Sequence, residues 1–195
     1  LQIWVAPEAE ARLGARRRKM AGPVGCGLCG IDSIEEATRE MEPVTAEDTL
    51  SPSEVMAVVS ALPQFQQLHD ATRAAHAAGF WLAGGMAAVR EDVGRHNALD
   101  KLAGAWLEIN LVPEGVVASP PLRGAVVLTS RVSIDMVQKV AAMGQGILIA
   151  VAAPTAHAVA LAQSLNITLI ALARPDRFEV FTHPHRILPE VAHVA

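Results

Sequence analysis

The sequence predicts an α/β domain, and two observations support this fold class. First, 51% of the 195 residues are hydrophobic, which is enough to bury a substantial core. Second, short apolar runs alternate with helical patterns through the last third of the chain. Strand and helix alternate there at βαβ spacing, which is typical of parallel strands in a sheet covered by helices.

The chain is predicted to have two parts, residues 1–45 and residues 46–195. The first part should contain a strand at Leu1–Val5, a basic helix from Pro7 to about Arg18, and a mobile glycine-rich loop at Met20–Gly30. Because a strand pattern starts at the first residue, which is not methionine, we expect an N-terminal portion to be missing. The second part should form the α/β domain.

The second part opens with helical signals and a hairpin. Ser51 and Glu54 form a capping box, which predicts a helix from Pro52 to about Ala61. Pro63 should interrupt it. The further predicted elements are a helical stretch at Gln64–Arg73, a hairpin of Ala75–Leu82 with Met86–Arg90 around Gly84-Gly85, a charged loop at 91–97, a helix at His96–Leu107, a loop at 112–122, strands at Ala125–Thr129, Ile147–Val151, Ile167–Ala171 and Phe178–Thr182, and helices at Ser133–Met143 and Thr155–Ser164.

Charge and cysteine usage exclude several classes of protein. The net charge of −4 argues against a general nucleic-acid-binding surface. No apolar run reaches the length of a membrane span. The two cysteines are separated by only two residues, which is a poor disulfide framework for a secreted domain. We therefore expect a cytoplasmic protein without nucleic-acid or membrane partners.

Both cysteines lie in one loop, Gly-Cys-Gly-Leu-Cys-Gly at Gly25–Gly30. Its G-x-G-x-x-G spacing is that of a dinucleotide site, but such a site directly follows a strand, whereas a basic segment precedes this loop. A zinc site would need histidines such as His76 or His96 to complete it, and the H-x-E of zinc deaminases is absent at His76. Sulfur or redox chemistry at Cys26 and Cys29 fits best, because the glycines allow the thiols to reach a distant centre.

Three further polar segments are candidates for ligand binding. Arg90–Asn97 is a dense polar stretch between a strand and a helix, and a charge-satisfied, capped turn explains it equally well. Thr129–Ser133 and Ala153–Thr155 each follow a strand and open a helix, where either a phosphate or simple N-capping would fit. The segment Phe178–Thr182 is followed by two histidines, and spacing alone does not assign it.

Taken in order, these motifs resemble the FdhD family of formate dehydrogenase accessory sulfurtransferases. The resemblance rests on the cysteine loop, the motif REDVGRHNALDK at Arg90–Lys101, TSRVSIDMVQK at Thr129–Lys139, Ala153-Pro154-Thr155, and RFEVFTHP at Arg177–Pro184. It covers most of the chain, from about Cys26 to Ile187.

The resemblance implies a function that spacing alone does not. Members take sulfur from a cysteine desulfurase as a cysteine persulfide and pass it to the molybdenum bis-guanine-dinucleotide cofactor of formate dehydrogenase. Cys26 would be the persulfide carrier, and Cys29 would assist. The segment Phe178–His183, that is Phe178, Glu179, Val180, Phe181, Thr182 and His183, would contact the cofactor, and we add Arg95 and Arg131 as candidates for its phosphates.

The resemblance also implies a fold similar to cytidine deaminase, with a mixed or parallel sheet flanked by helices, without its zinc chemistry and with the β-rich N-terminal portion of the family absent. Members usually form homodimers. This chain departs from the family at Arg73-Ala74, where many members have two glycines, and at Ser130, where many have one. Two alternatives stay open: a guanine-nucleotide or partner-binding module without sulfur transfer, and a zinc-dependent deaminase-like hydrolase.

Overall fold

The structure is a computed structural model, and it describes residues 5–7, 41–82, 84–110 and 124–188. The strand, basic helix and cysteine loop expected within residues 1–45 lie outside the described residues, apart from 5–7 and 41–45. The loop expected at 112–122 also lies outside them.

The chain divides into two units, 1–40 and 41–195. The second unit begins earlier than the boundary expected at residue 46, because residues 41–50 pack onto it. Val44 and Ala46 are buried, and the Val44 N–H donates to the Leu165 carbonyl at 2.9 Å. Residues 41–50 are therefore part of the α/β unit.

The first described helices follow the capping and proline signals of the sequence. Helix α1 spans Pro52–Ala61, and Ser51 and Glu54 form the expected capping box. Pro63 begins no new α-helix but lies in a 3₁₀ helix at Leu62–Phe65. Helix α2 is short, at Gln67–Thr72, and ends at Arg73.

Six strands form one mixed sheet in the order β2-β1-β3-β4-β5-β6. Strand β1 pairs antiparallel with β2 and β3, β3 and β5 pair parallel with β4, and β6 pairs antiparallel with β5. The expected hairpin is confirmed, and Gly84 takes the positive φ of 81° that its turn requires. The strands are β1 His76–Leu82, β2 Gly85–Asp92, β3 Ala125–Leu128, β4 Ile147–Ala150, β5 Thr168–Arg174 and β6 Arg177–Val180.

Helices cover both faces of the sheet, as the α/β prediction requires. Helices α3 (Arg95–Asn110), α4 (Ile134–Ala142) and α5 (Ala156–Ser164) pack on one face, and α1 packs on the other. Alternate residues of each central strand feed the two cores: Val126 faces α3–α5, whereas Val127 faces α1. In the part of the chain that the structure describes, no helix is long and apolar enough to cross a membrane.

Candidate functional site

The cysteines predicted to carry the chemistry, Cys26 and Cys29, lie outside the described residues, so the site is built from the other predicted residues and their neighbours. Parallel strands β3, β4 and β5 all end at one edge of the sheet, here called the carboxyl edge. Strand β1 begins at this edge and β2 ends there, because both pair antiparallel. The carboxyl edge therefore collects the polar segments that follow the strands.

The loops after β3 and β4 lie side by side at the carboxyl edge. The Val132 N–H donates to the Ala153 carbonyl at 3.4 Å, and the Thr155 N–H donates to the Val132 carbonyl at 2.9 Å. Ser130 is buried, while Arg131 points out from this pair of loops as an exposed side chain. The loops thus form one continuous surface that presents Arg131.

The first turns of α3 and α4 meet in a buried histidine–carboxylate pair. Nε2 of His96 contacts the carboxylate of Asp135, and both side chains are almost fully buried. Asp135 also accepts from the Ser133 hydroxyl at 2.7 Å, so Ser133 does not cap α4 as the sequence suggested. Burial lowers the pKa of His96, although the charge of Asp135 opposes this.

Asp92 organises the start of α3 instead of pairing with Arg95. Its carboxylate accepts from the Gly94 N–H at 2.9 Å and lies 2.6 Å from Lys101 Nζ. The hydrogen bond from Lys101 and the one from the Gly94 N–H lower the pKa of Asp92 to about 2. Neither Arg95 nor Arg131 forms an ion pair with any of the residues described here, so both cations remain available to an anion.

A cleft of about 540 Å³ opens at the carboxyl edge, between α1 and the ends of β3–β5. We call it the edge cleft. Its floor is apolar, and histidines and arginines stand among its other walls. Two groups of cleft residues favour ligand binding: the floor residues Val59, Leu62, Val151 and Ala173, and the polar residues Gln66, His69, Arg73, His76, Thr129 and Arg174.

The two histidines of the edge cleft are held differently. His69 Nδ1 donates to the Ala75 carbonyl at 2.9 Å, which fixes the orientation of the ring. His76 is half-buried, and burial, with the positive charge of Arg95, lowers its pKa. Glu91 fixes this wall of the cleft, because its carboxylate accepts from the N–H groups of Leu68 and His69 at 2.7 and 2.8 Å.

A second cleft of about 280 Å³ brings Phe178 and Glu179 together with Arg174 and Arg177, near the turn between β5 and β6. Arg174 lines both clefts. One of its guanidinium nitrogens donates to the carbonyls of Val151 and Ala173 at 2.6 and 2.9 Å, which fixes the side chain. This second cleft, here called the Phe178 cleft, combines an aromatic ring with two arginines.

The rest of the predicted segment leads away from the Phe178 cleft. Val180 packs on the core and Phe181 is exposed. Thr182 is buried at the opposite edge, where its hydroxyl donates to the Ile167 carbonyl at 2.6 Å and accepts from the Leu169 N–H at 2.8 Å. His183 has a φ of 46°, and its Nε2 donates to the Gln163 carbonyl at 2.9 Å.

The predicted ligand residues therefore do not form one compact cluster. Arg95, Arg131 and Phe178 lie toward the carboxyl edge, but β3 and β6 are three strand spacings apart, roughly 14 Å. Thr182 and His183 lie at the other edge. Sequence reasoning missed Arg174 and His69 as cleft residues; the turn sequence Arg174-Pro175-Asp176-Arg177 was a signal for the first, whereas His69 carried none.

Among the residues that the structure describes, no group of three or more His, Cys, Asp or Glu side chains could hold a metal ion. His76 and His96, considered above as partners for a cysteine zinc site, are engaged differently: His76 lines the edge cleft, and His96 pairs with Asp135.

Comparison with known proteins places this arrangement in context. A model of the FdhD/NarQ family matches residues 1–188. The chain is 46% identical over 188 residues to the sulfur carrier protein FdhD of Bordetella bronchiseptica, covering 96% of the chain and 65% of that protein. It is 50% identical over 183 residues to the sulfur carrier protein FdhD of Agrobacterium fabrum, covering 93% of the chain and 64% of that protein.

The fold is similar to a crystal structure from Desulfotalea psychrophila of a protein named as a formate dehydrogenase accessory protein. The TM-score is 0.68 at 33% identity, over 79% of this chain and 62% of the other. The chain thus spans less than two thirds of the length of each of these three similar proteins, between 62% and 65%.

Proposed function

Because the chain belongs to the FdhD/NarQ family, we propose that it is a sulfur carrier that supports formate dehydrogenase. In this proposal Cys26 carries sulfur as a persulfide, and Cys29 assists. The donor is a cysteine desulfurase, and the acceptor is the molybdenum bis-guanine-dinucleotide cofactor. The observation that carries the proposal is the match to curated sulfur carriers at 46% and 50% identity over almost the whole chain.

The loading step needs no external oxidant or reductant. The Cys26 thiolate attacks the terminal sulfur of the donor persulfide, a new S–S bond forms at Cys26, and the donor cysteine leaves as a thiolate. The sulfur that moves keeps its oxidation state. The chain therefore needs only a reachable thiolate, which a glycine-flanked cysteine provides.

The Phe178 cleft supports the assignment of the acceptor. A guanine nucleotide presents a flat heterocycle and several phosphate charges, and the cleft offers one aromatic ring between two arginines. Arg131 and Arg95, roughly three or more strand spacings away along the carboxyl edge, would serve the second nucleotide of a long acceptor. The rest of the segment would contribute to acceptor binding through the shape of its backbone, because the Thr182 hydroxyl is buried. These residues are Val180, Phe181, Thr182 and His183.

Loading is tested by intact mass after incubation with a cysteine desulfurase and cysteine. We expect a gain of one sulfur atom that a reductant removes, and we expect Cys26→Ala to abolish it. Cys29→Ala is the matched variant and should keep a measurable gain. If the wild-type chain gains no sulfur from a competent desulfurase, the sulfur-carrier proposal fails and a binding module becomes the better assignment; tightly bound stoichiometric zinc would favour the hydrolase.

Acceptor binding is tested separately by titration with GDP. We expect two GDP sites, one weakened by about tenfold in Phe178→Ala and the other in Arg131→Ala, the loss that follows from one charged or stacking contact. Glu108→Ala, at an exposed position on α3, should leave the affinity unchanged. Unchanged affinity in both test variants would exclude the proposed placement of the acceptor without touching the sulfur-loading result.

A further inference from the structure

The edge cleft is not used by the sulfur-carrier proposal, yet it has the form of a ligand site. Its volume of about 540 Å³ falls within the usual range of roughly 300–1,000 Å³ for small-molecule pockets. The floor of Val59, Leu62, Val151 and Ala173 is apolar, and cationic or polar side chains stand around it. Such a cleft suits a ligand with an apolar ring and one charged group.

The polar groups of the edge cleft favour an anion. Arg174 is fixed by two carbonyls through one nitrogen, and its other guanidinium nitrogens form no hydrogen bond with the residues described here. The His76 ring likewise has no hydrogen-bond partner among them. Among the described residues the lining holds no acidic residue, and Glu91, behind the wall, is occupied by the two N–H groups at the start of α2. Donors therefore outnumber free acceptors.

Arg73 gives an independent reason to look here. It ends α2 with φ 54° and ψ 18°, in the left-handed region that glycine normally occupies at a helix end. An arginine there costs stability that a glycine would not, and its ion pair with Asp70, at 3.2 Å, is exposed. A strained, charged residue at the mouth of a cleft suggests that its guanidinium is used.

We propose that the edge cleft binds a small aromatic phosphate ester, with its ring on the apolar floor and its phosphate between Arg73 and Arg174, close to His76. Arg73 is the specificity-determining residue of this site. His76, whose pKa is lowered by burial and by Arg95, donates one ring N–H to the phosphate. The proposal does not depend on sulfur transfer, since it involves neither cysteine.

The probe is phenyl phosphate, with inorganic phosphate as the ring-free comparison, and binding is measured by calorimetric titration of the full 195-residue chain. Phenyl phosphate should bind at least about tenfold more tightly than inorganic phosphate, because only the ester can bury a ring. Equal affinities, or no binding of phenyl phosphate, would overturn the proposal.

Three variants locate the site. Arg73→Gly should weaken phenyl phosphate binding by about tenfold while the unfolding midpoint stays the same or rises, since glycine relieves the positive φ. Asp70→Asn should tighten binding, because it removes the carboxylate that competes for Arg73. Arg90→Gln removes an exposed arginine that lines neither the edge cleft nor the Phe178 cleft, and should leave the affinity for phenyl phosphate unchanged.

Arg73→Gly and Asp70→Asn are expected to change the affinity for phenyl phosphate in opposite directions. The test is therefore decisive even if one variant is less stable than expected. Unchanged affinity in Arg73→Gly, or weaker binding in Arg90→Gln than in Arg73→Gly, would assign the anion to another place and refute the proposal. A loss of sulfur loading would bear on the sulfur-carrier proposal alone, because the titration involves no persulfide.

Discussion

At the scale of single residues, the buried pair of His96 and Asp135 has the largest structural consequence. The residues come from the first turns of two helices, 39 positions apart by their numbers, and both side chains are almost fully buried. The REDVGRHNALDK motif identified His96 as important, but no spacing rule could pair it with Asp135. The buried contact with Asp135 gives His96 a structural role.

The first prediction concerns that pair. Asp135→Asn should lower the free energy of unfolding by about 2–3 kcal/mol, because a buried hydrogen bond to a charged group is weakened. Asp100→Asn breaks the more exposed contact with Lys139 and should cost less than about 1 kcal/mol. Urea unfolding measures both, and equal costs would mean that the buried pair adds nothing.

The lowered pKa of two histidines predicts how stability depends on pH. Burial lowers the pKa of His76 and His96 below 6.5 in the folded chain, so the unfolded chain binds protons more tightly. Stability should therefore rise as pH increases through the range just below about 6.5, and level off above it. His76→Gln should reduce this slope, whereas Gln66→Ala, a change of a non-titrating residue in the same cleft, should not.

At the scale of elements, local sequence signals were sufficient where an element is stabilised locally. The capping box at Ser51, the hairpin turn and the apolar runs of β3 and β4 appear where the sequence placed them. Strand β2 extends to Asp92, through what read as a charged loop, because Glu91 and Asp92 pair with Ala77 and His76 across the sheet. Periodicity cannot detect a strand whose polar residues are held by a neighbouring strand.

The helix caps give a test at the scale of elements. Ser51→Ala and Thr155→Ala should each cost about 1 kcal/mol, since each hydroxyl accepts from an N–H in the first turn. Ser60→Ala removes a hydroxyl that only donates back to the Met56 carbonyl within α1, and should be close to neutral. A cost at Ser60 as large as that at Ser51 would argue against capping as the cause.

At the scale of the whole molecule, hydrogen bonds hold residues 41–50 against the segment that ends at residue 188. The Leu50 N–H donates to the Arg186 carbonyl, and the Leu188 N–H donates to the Leu50 carbonyl, both at 2.9 Å. The buried Arg186 donates to the Ala46 carbonyl at 2.9 Å and to the Thr168 hydroxyl at 3.2 Å. These contacts join positions up to 140 residues apart, so no local pattern in the sequence could reveal them.

These contacts bear on function, because residues 41–50 are the part of the α/β unit that directly follows the segment holding both cysteines. Arg186→Met should lower the free energy of unfolding by at least about 2 kcal/mol, since the Ala46 carbonyl and the Thr168 hydroxyl lose a charged donor. Limited proteolysis should then cut within 41–50 faster than in the wild type. Arg177→Met, at an exposed pair with Asp176, should leave both measurements unchanged. If Arg186→Met unfolds at the wild-type midpoint and residues 41–50 stay protected, the backbone contacts of Leu50 alone hold the segment, and the arginine serves another purpose.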